Sequence, residues 1–205
     1  MNITDVADTS YNREPMGMAG HIDDGTYVNN YHEVNRTTYE VARSAVIANV
    51  GALSVDVIQQ GLDVASQLGK GRISEHWMHH SVRRSYLAIV TANRRYMVTG
   101  GASMHDAGFK GNALDEDPSF GGTPIKVDKD APYGTWFGMD KRYFVNYENS
   151  PGEWVDEDGA VLSRIHGQDT FEAVWRWFGN FANEKPNASF RLDGINSNLV
   201  VIHVR

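Results

Sequence analysis

The residues best suited to chemistry stand in one short run. His76, His79 and His80 lie close together, with His105 further along, and imidazoles gathered in this way can hold a transition metal. A metal site needs its ligands to converge on one point. Ser74 to His80 reads as extended backbone, in which successive side chains leave on opposite faces, so His79 and His80 point apart. The histidines therefore read as surface or interface groups. Serine, histidine and aspartate all occur, yet no Gly-x-Ser-x-Gly turn exposes a nucleophile. Gly69-Lys70-Gly71 lacks the Gly-x-x-x-x-Gly-Lys-Ser/Thr spacing of a phosphate loop. With no cysteine in the chain, disulfides, thiolate metal sites and thiol nucleophiles are excluded. No residue is assigned a catalytic, metal-binding or cofactor-binding role.

Charge offers a different kind of site. Arg83 and Arg84 precede Arg94 and Arg95 by three helical turns, so the two pairs line up on one helix face. A solvated face is the plain reading. The sharper one is a contact with an acidic loop of a neighbouring subunit, such as Asp115-Glu116-Asp117, because guanidinium forks match carboxylates. A formal charge of −7 weighs against a protein whose main work is gripping phosphates. Packaged DNA is then at most a non-specific neighbour. The clusters Asp115-Glu116-Asp117 and Asp156-Glu157-Asp158 otherwise read as solvated loops. The longest apolar stretches, such as Leu199 to Ile202, are too short to span a bilayer, and Met1 to Asp5 lacks a signal-peptide layout, so a cytoplasmic product with no membrane partner is expected.

The elements that carry these groups follow from periodicity. The 205 residues, 41% apolar and 22% charged, suffice for one core or for two lobes sharing a sheet. Residues 1–36 read as an irregular lead-in, polar and broken by Pro15, Gly17 and Asp23-Asp24-Gly25. Val55, Ile58, Leu62, Ala65 and Leu68 form one apolar stripe and predict a helix from Val55 to Leu68. Ser54 is placed to cap its start, and Gly69 to close it in the left-handed conformation. An extended piece at Ile73 to Met78 leads to a second helix, Val82 to Asn93, capped by Ser81 and burying Val82, Tyr86, Ile89 and Val90. Residues 100–123 read as a long exposed loop.

Short strands are then expected at Pro124 to Val127, Thr135 to Met139, Tyr143 to Tyr147, Glu153 to Val155 and Ala160 to Ile165, with Asp158-Gly159 as a hairpin turn. Phe171, Ala173, Trp175 and Trp177 alternate with Glu172, Val174, Arg176 and Phe178 as an aromatic strand, a helix being the competing reading. Such a strand has bulky apolar groups on both faces and needs cover on both. Pro186 ends it, and Asn187 to Leu192 and Leu199 to Val204 supply the last strands. Two helices, a loop and a run of antiparallel strands make an α+β layout.

Taken in order, Arg13 to Gly20, the helix after Ala52-Leu53-Ser54, Trp77 to Leu87, Gly122 to Ile125, Gly134 to Asp140, and Pro186 to Ile195 with Arg191-Leu192-Asp193-Gly194-Ile195 resemble the latter part of tailed-bacteriophage major capsid proteins. The resemblance covers nearly the whole chain and rests on order and spacing more than on any one piece. It implies the phage capsid fold shared with encapsulin nanocompartments, with an axial domain and a peripheral domain carrying a long antiparallel sheet. Residues 37–133 would be mainly axial, 134–185 peripheral, and 186–205 strands returning to the axial domain. On that resemblance the family's amino-terminal arm, extended loop and spine helix would come before the segment that Met1 begins, the sequence being either a fragment or one in which an unfamiliar lead-in replaces them.

What the resemblance implies is a structural subunit and not an enzyme. Copies of the chain would self-assemble into pentamers and hexamers of an icosahedral virion shell in the host cytoplasm, with portal, scaffolding or maturation proteins as further partners. The interface would include Arg83, Arg84, Arg94, Arg95, Asp115, Glu116, Asp117, Trp175 and Trp177. An encapsulin-type shell, a head-completion or tail-tube ring, and a small metal-dependent hydrolase stand as alternatives.

Overall fold

A computed structural model describes residues 15–94, 118–156 and 159–196. The strand expected at Leu199 to Val204, most of the expected loop at 100–123 and Asp158 of the expected turn lie outside them. In chain order the elements are α1 (Met18–His21), β1 (Asn30–Tyr31), β2 (Val34–Asn35), β3 (Ala45–Ile47), α2 (Val55–Gly69), β4 (Glu75–Met78) and α3 (His80–Arg94). They continue with β5 (Ser119–Phe120), β6 (Thr123–Val127), β7 (Trp136–Met139), β8 (Phe144–Trp154), β9 (Ser163–Arg164), β10 (Phe171–Glu172), β11 (Trp175–Asn183) and β12 (Phe190–Leu192).

Six strands form one sheet in the order β3-β12-β7-β4-β6-β5. It is mixed: β12 runs parallel to β3 and β4 parallel to β6, whereas β7 is antiparallel to both β12 and β4. The all-antiparallel run expected from the sequence is corrected here, because β3 and β4 enter the sheet from the helical half of the chain. The expected long peripheral sheet is, among the described residues, a two-stranded ribbon of β8 and β11 with a short β9–β10 hairpin beyond it. The strands expected at Tyr143 to Tyr147 and Glu153 to Val155 are one strand, β8, with two register shifts against β11. Ser150-Pro151-Gly152 looks like a break, but a bulge accepts a proline whose nitrogen has no proton to donate. The segment expected as strand from Asn187 opens instead as a 3-10 turn, Pro186–Ala188.

One face of the sheet packs against α2 and α3. Ile58, Ala65, Met78, Val82, Tyr86, Ile125, Trp136, Phe190 and Leu192 make its core. Burying each of the larger aliphatic side chains and Phe190 gains roughly 1.5–3 kcal/mol. The stripe of α2 is buried at Ile58 and Ala65, while its ends, Val55 and Leu68, are exposed. In α3, Val82 and Tyr86 are buried, and Ile89 and Val90 pack against the core only partly. Ser54 does cap α2, its Oγ accepting from Val57 N at 3.3 Å.

Two caps differ from expectation. Lys70, not Gly69, takes the left-handed conformation; Gly69 is required because a Cβ there would stand 2.3 Å from the Asn187 carbonyl. At the start of α3, His79 replaces Ser81 as cap, its Nδ1 accepting from Ser81 N at 3.2 Å.

The other sheet face is covered by the irregular lead-in, through a cluster of Ala19, Ile22, Phe137 and Met139. What shapes these residues is a buried ionic network. The Asp23 carboxylate accepts from the amides of Gly25, Tyr27 and Val28 and pairs with Arg36 at 3.5 Å and Arg191 at 3.1 Å. Arg36 donates to the carbonyls of Gly20, His21, Val28 and Ala42, and Arg191 to those of Ala19 and Ile22. A segment with little helix or strand thus has six of its carbonyls satisfied by two guanidinium groups, as buried polar atoms require.

Candidate functional site

The reading of the histidines as surface or interface groups is corrected at His76 and His79, which are buried. His76 is fully buried on β4, accepting at Nδ1 from Trp136 Nε1 at 3.1 Å, with Phe120 and Phe190 edge-on to its ring. Burial pushes its pKa down to about 4, so the ring is neutral. His79 is buried at the start of α3 and stacks on Tyr133 at 4.3 Å, while His80 is exposed. Among the described residues no group of three histidine or carboxylate side chains could hold a metal, and His105 lies outside them.

A second neutral histidine sits beneath the ribbon. His21 contacts the Met16 carbonyl through Nε2 at 3.0 Å and the Tyr31 hydroxyl through Nδ1 at 2.9 Å. Burial holds its pKa near 4, with His32 and Arg36 adding to the effect. Both rings bind a proton more readily in the unfolded chain, whose histidines titrate near 6.5. Their stabilisation is therefore complete above 6.5 and is lost as pH falls through the window from 6.5 to about 4. Denaturant melts at stepped pH should show stability falling by up to about 1.4 kcal/mol per pH unit for each histidine. His76→Gln should flatten that slope; a flat wild-type profile would contradict the assignment.

Arg84 is exposed, whereas Arg83 is half-buried and its Nε meets no hydrogen-bond partner among the described residues. Consecutive helix positions are about 100° apart, which separates the two guanidinium groups. The side chain of Arg94 at the end of α3, and Arg95, Asp115, Glu116 and Asp117, lie outside what the structure describes.

The two tryptophans lie on a ribbon with several exposed apolar side chains. In the β8–β11 ribbon Trp175 stands opposite Trp154, Asn180 opposite Tyr147 and Ala182 opposite Val145. Alternation then divides the side chains. One face carries Trp154, Trp175, Trp177 and Phe181, and the other Tyr147, Phe178 and Ala182. Two glycines make room for the indoles: a Cβ on Gly152 would lie 2.2 Å from the Trp175 ring, and one on Gly179 would lie 2.2 Å from the Trp177 ring. Trp177 Nε1 also donates to Glu148 at 3.3 Å. The cover expected on both faces is absent within the described chain, for Trp154, Phe171, Val174, Trp175, Phe178 and Phe181 are all exposed.

At the base of the ribbon, on the Tyr147 face, a cleft of about 580 Å³ opens toward the β1–β2 hairpin, lined by Tyr31, Val34, Val41, Tyr147, Ala182 and Pro186 among others. Its walls are mostly apolar. Its acid, Glu184, accepts from the Tyr147 hydroxyl, which raises the pKa of that phenol. Sequence reasoning missed the cleft and the Asp23–Arg36–Arg191 network because each joins segments far apart in the chain. Exposed Val34, Tyr39 and Val41, apolar in a polar stretch, were the available signal.

No family model matches the chain, and no curated protein does. Among solved structures it is similar to the capsid asymmetric unit of cyanophage A-1(L), at a TM-score of 0.55 and 12% identity over 82% of this chain. It is also similar to the holo-SrpI encapsulin complex of Synechococcus elongatus PCC 7942, at a TM-score of 0.48 and 17% identity over 80% of this chain. The chain spans 54% of the cyanophage chain and 59% of the encapsulin chain. At 12% identity the cyanophage likeness is one of fold: an α+β chain with a mixed sheet, built as in a phage capsid subunit.

Proposed function

We propose that this protein is a structural subunit of a phage head, a shell builder that acts by associating with copies of itself in the virion. The observation that carries this reading is the β8–β11 ribbon, with apolar groups on both faces that the described residues leave uncovered, in a chain whose fold is like that of a phage capsid subunit. Exposed apolar surface of this extent marks a binding surface. Pentamers and hexamers of a closed shell, portal and scaffolding partners, and pairing of Arg83 and Arg84 with a neighbour's Asp115 to Asp117 all belong to the same proposal.

The test is assembly. The chain, expressed in its complete reading frame, should give capsomers or closed shells in negative-stain electron microscopy and a matching mass by light scattering. A protein that stays monomeric at every concentration, in every buffer, would overturn the reading.

A further inference from the structure

The ribbon's two faces differ in shape as well as in residues. On the tryptophan face, the rings of Trp175 and Trp177 lie across glycines and form, with Trp154 and Phe181, a continuous aromatic row that serves as the ridge. The other face is hollow at its base, where Val34 and Val41 wall the cleft and Tyr147 and Ala182 line it. Ridge and hollow lie back to back on one ribbon, so they cannot meet within one molecule. We propose that the tryptophan face of one copy seats in the cleft face of the next, a head-to-tail contact between two copies of this chain. This rests on the shell-forming reading above and adds the surfaces that make the contact.

The area suits such a pair. Trp154, Trp175 and Phe181 are 44–57% exposed, and since an aromatic side chain carries roughly 150–250 Å², they and Trp177 offer roughly 350 Å² of apolar surface. Apolar atoms make up about three-fifths of an interface, so the footprint is roughly 600 Å² per partner, against roughly 800 Å² for a stable standard one. A contact of that size is modest alone and becomes strong when repeated around a ring. Using unlike surfaces, it is a heterologous contact, which closes into rings by rotation. Two ridges meeting each other would leave the cleft, with Val41 67% exposed, uncovered.

The experiment uses two variants of the whole chain. Trp154→Ser with Trp175→Ser disables the ridge, and Val34→Glu with Val41→Glu disables the cleft wall without touching the ribbon. Circular dichroism and thermal melts establish that each is folded; should the tryptophan pair fail, Phe181→Ser takes its place. By sedimentation velocity each variant alone should associate roughly 30-fold more weakly than wild type. An equimolar mixture should recover one contact, giving heterodimers and nothing larger.

Several results would overturn the proposal. One is a variant that assembles like wild type, and another is a mixture that stays monomeric. A cleft variant that dimerises alone would mean ridge meeting ridge. A wild-type protein that remains monomeric, and whose solvent-quenchable tryptophan emission is not reduced by Trp154→Ser with Trp175→Ser, would mean cover by its own polypeptide. Shells that form unimpaired from both variants would sink this contact and leave the shell-forming reading standing. A wild type that never associates would sink both.

Discussion

Arg191→Met is expected to destabilise the protein by about 3–5 kcal/mol, the loss typical when one partner of a buried ion pair is removed. Arg191 is almost fully buried on β12 and joins four groups: Asp193 at 2.7 Å, Asp23 at 3.1 Å, and the carbonyls of Ala19 and Ile22 at 2.7 Å each. Methionine fills much of the volume but donates nothing. Two buried carbonyls then lose their donor, and among the described residues Asp23 keeps only the more distant Arg36 at 3.5 Å as a charged partner. Lysine should rescue poorly, because a single ammonium cannot reproduce a fork that reaches both carboxylates and the carbonyls. The measurement is urea unfolding with the slope held constant, joined to limited proteolysis. Cleavage within residues 15–44 should precede global unfolding, since what then holds that segment to the sheet is the small cluster of Ala19 and Ile22 with Phe137 and Met139. A loss under about 1 kcal/mol would show that the network does not anchor the lead-in.

Phe190→Ala should cost a similar amount, about 3–5 kcal/mol, as expected for emptying a fully buried aromatic site. Phe190 is a knob held in a socket of two glycines from different elements. A Cβ on Gly138 of β7 would lie 2.0 Å from its ring, and one on Gly61 of α2 would lie 2.6 Å from it. The helix–sheet spacing is therefore set by the absence of side chains at two positions. Gly138→Ala should by itself destabilise by about 1–3 kcal/mol, through overpacking. Combined with Phe190→Leu it should cost less than the two changes added together, because the smaller side chain relieves the clash. Strict additivity in thermal or urea melts would show that the two positions are not in contact.

These two sites mark where reading the sequence stopped. Nothing near Phe190 shows that two glycines more than fifty residues from it on the chain face its ring. Nothing near Arg191 shows that its partners include Ala19 and Ile22. Gly69 shows the same limit in a subtler form. It sits where a helix-closing glycine belongs, so the local reading was reasonable, but the close approach of the Asn187 backbone is what requires it, and Lys70 turns the chain.

What the sequence by itself determined was local. Helix α2 follows from the repeat of Val55, Ile58, Leu62, Ala65 and Leu68 with Ser54 ahead of it, since periodicity and a capping oxygen act within one or two turns. The aromatic strand expected over Phe171 to Phe178, with a helix as the competing reading, is extended but divides at Ala173-Val174 into β10 and β11, which pair with different strands, and its two-faced apolarity called for a partner. Tertiary structure decided the rest. It joined two expected strands into β8 across Pro151, made the sheet mixed by pairing β12 with β3 and β4 with β6, and turned a polar lead-in into the cover of a sheet. The physical reason is common to all three: each depends on hydrogen bonds and charge pairs between segments distant in the chain, and no short window of residues contains both partners.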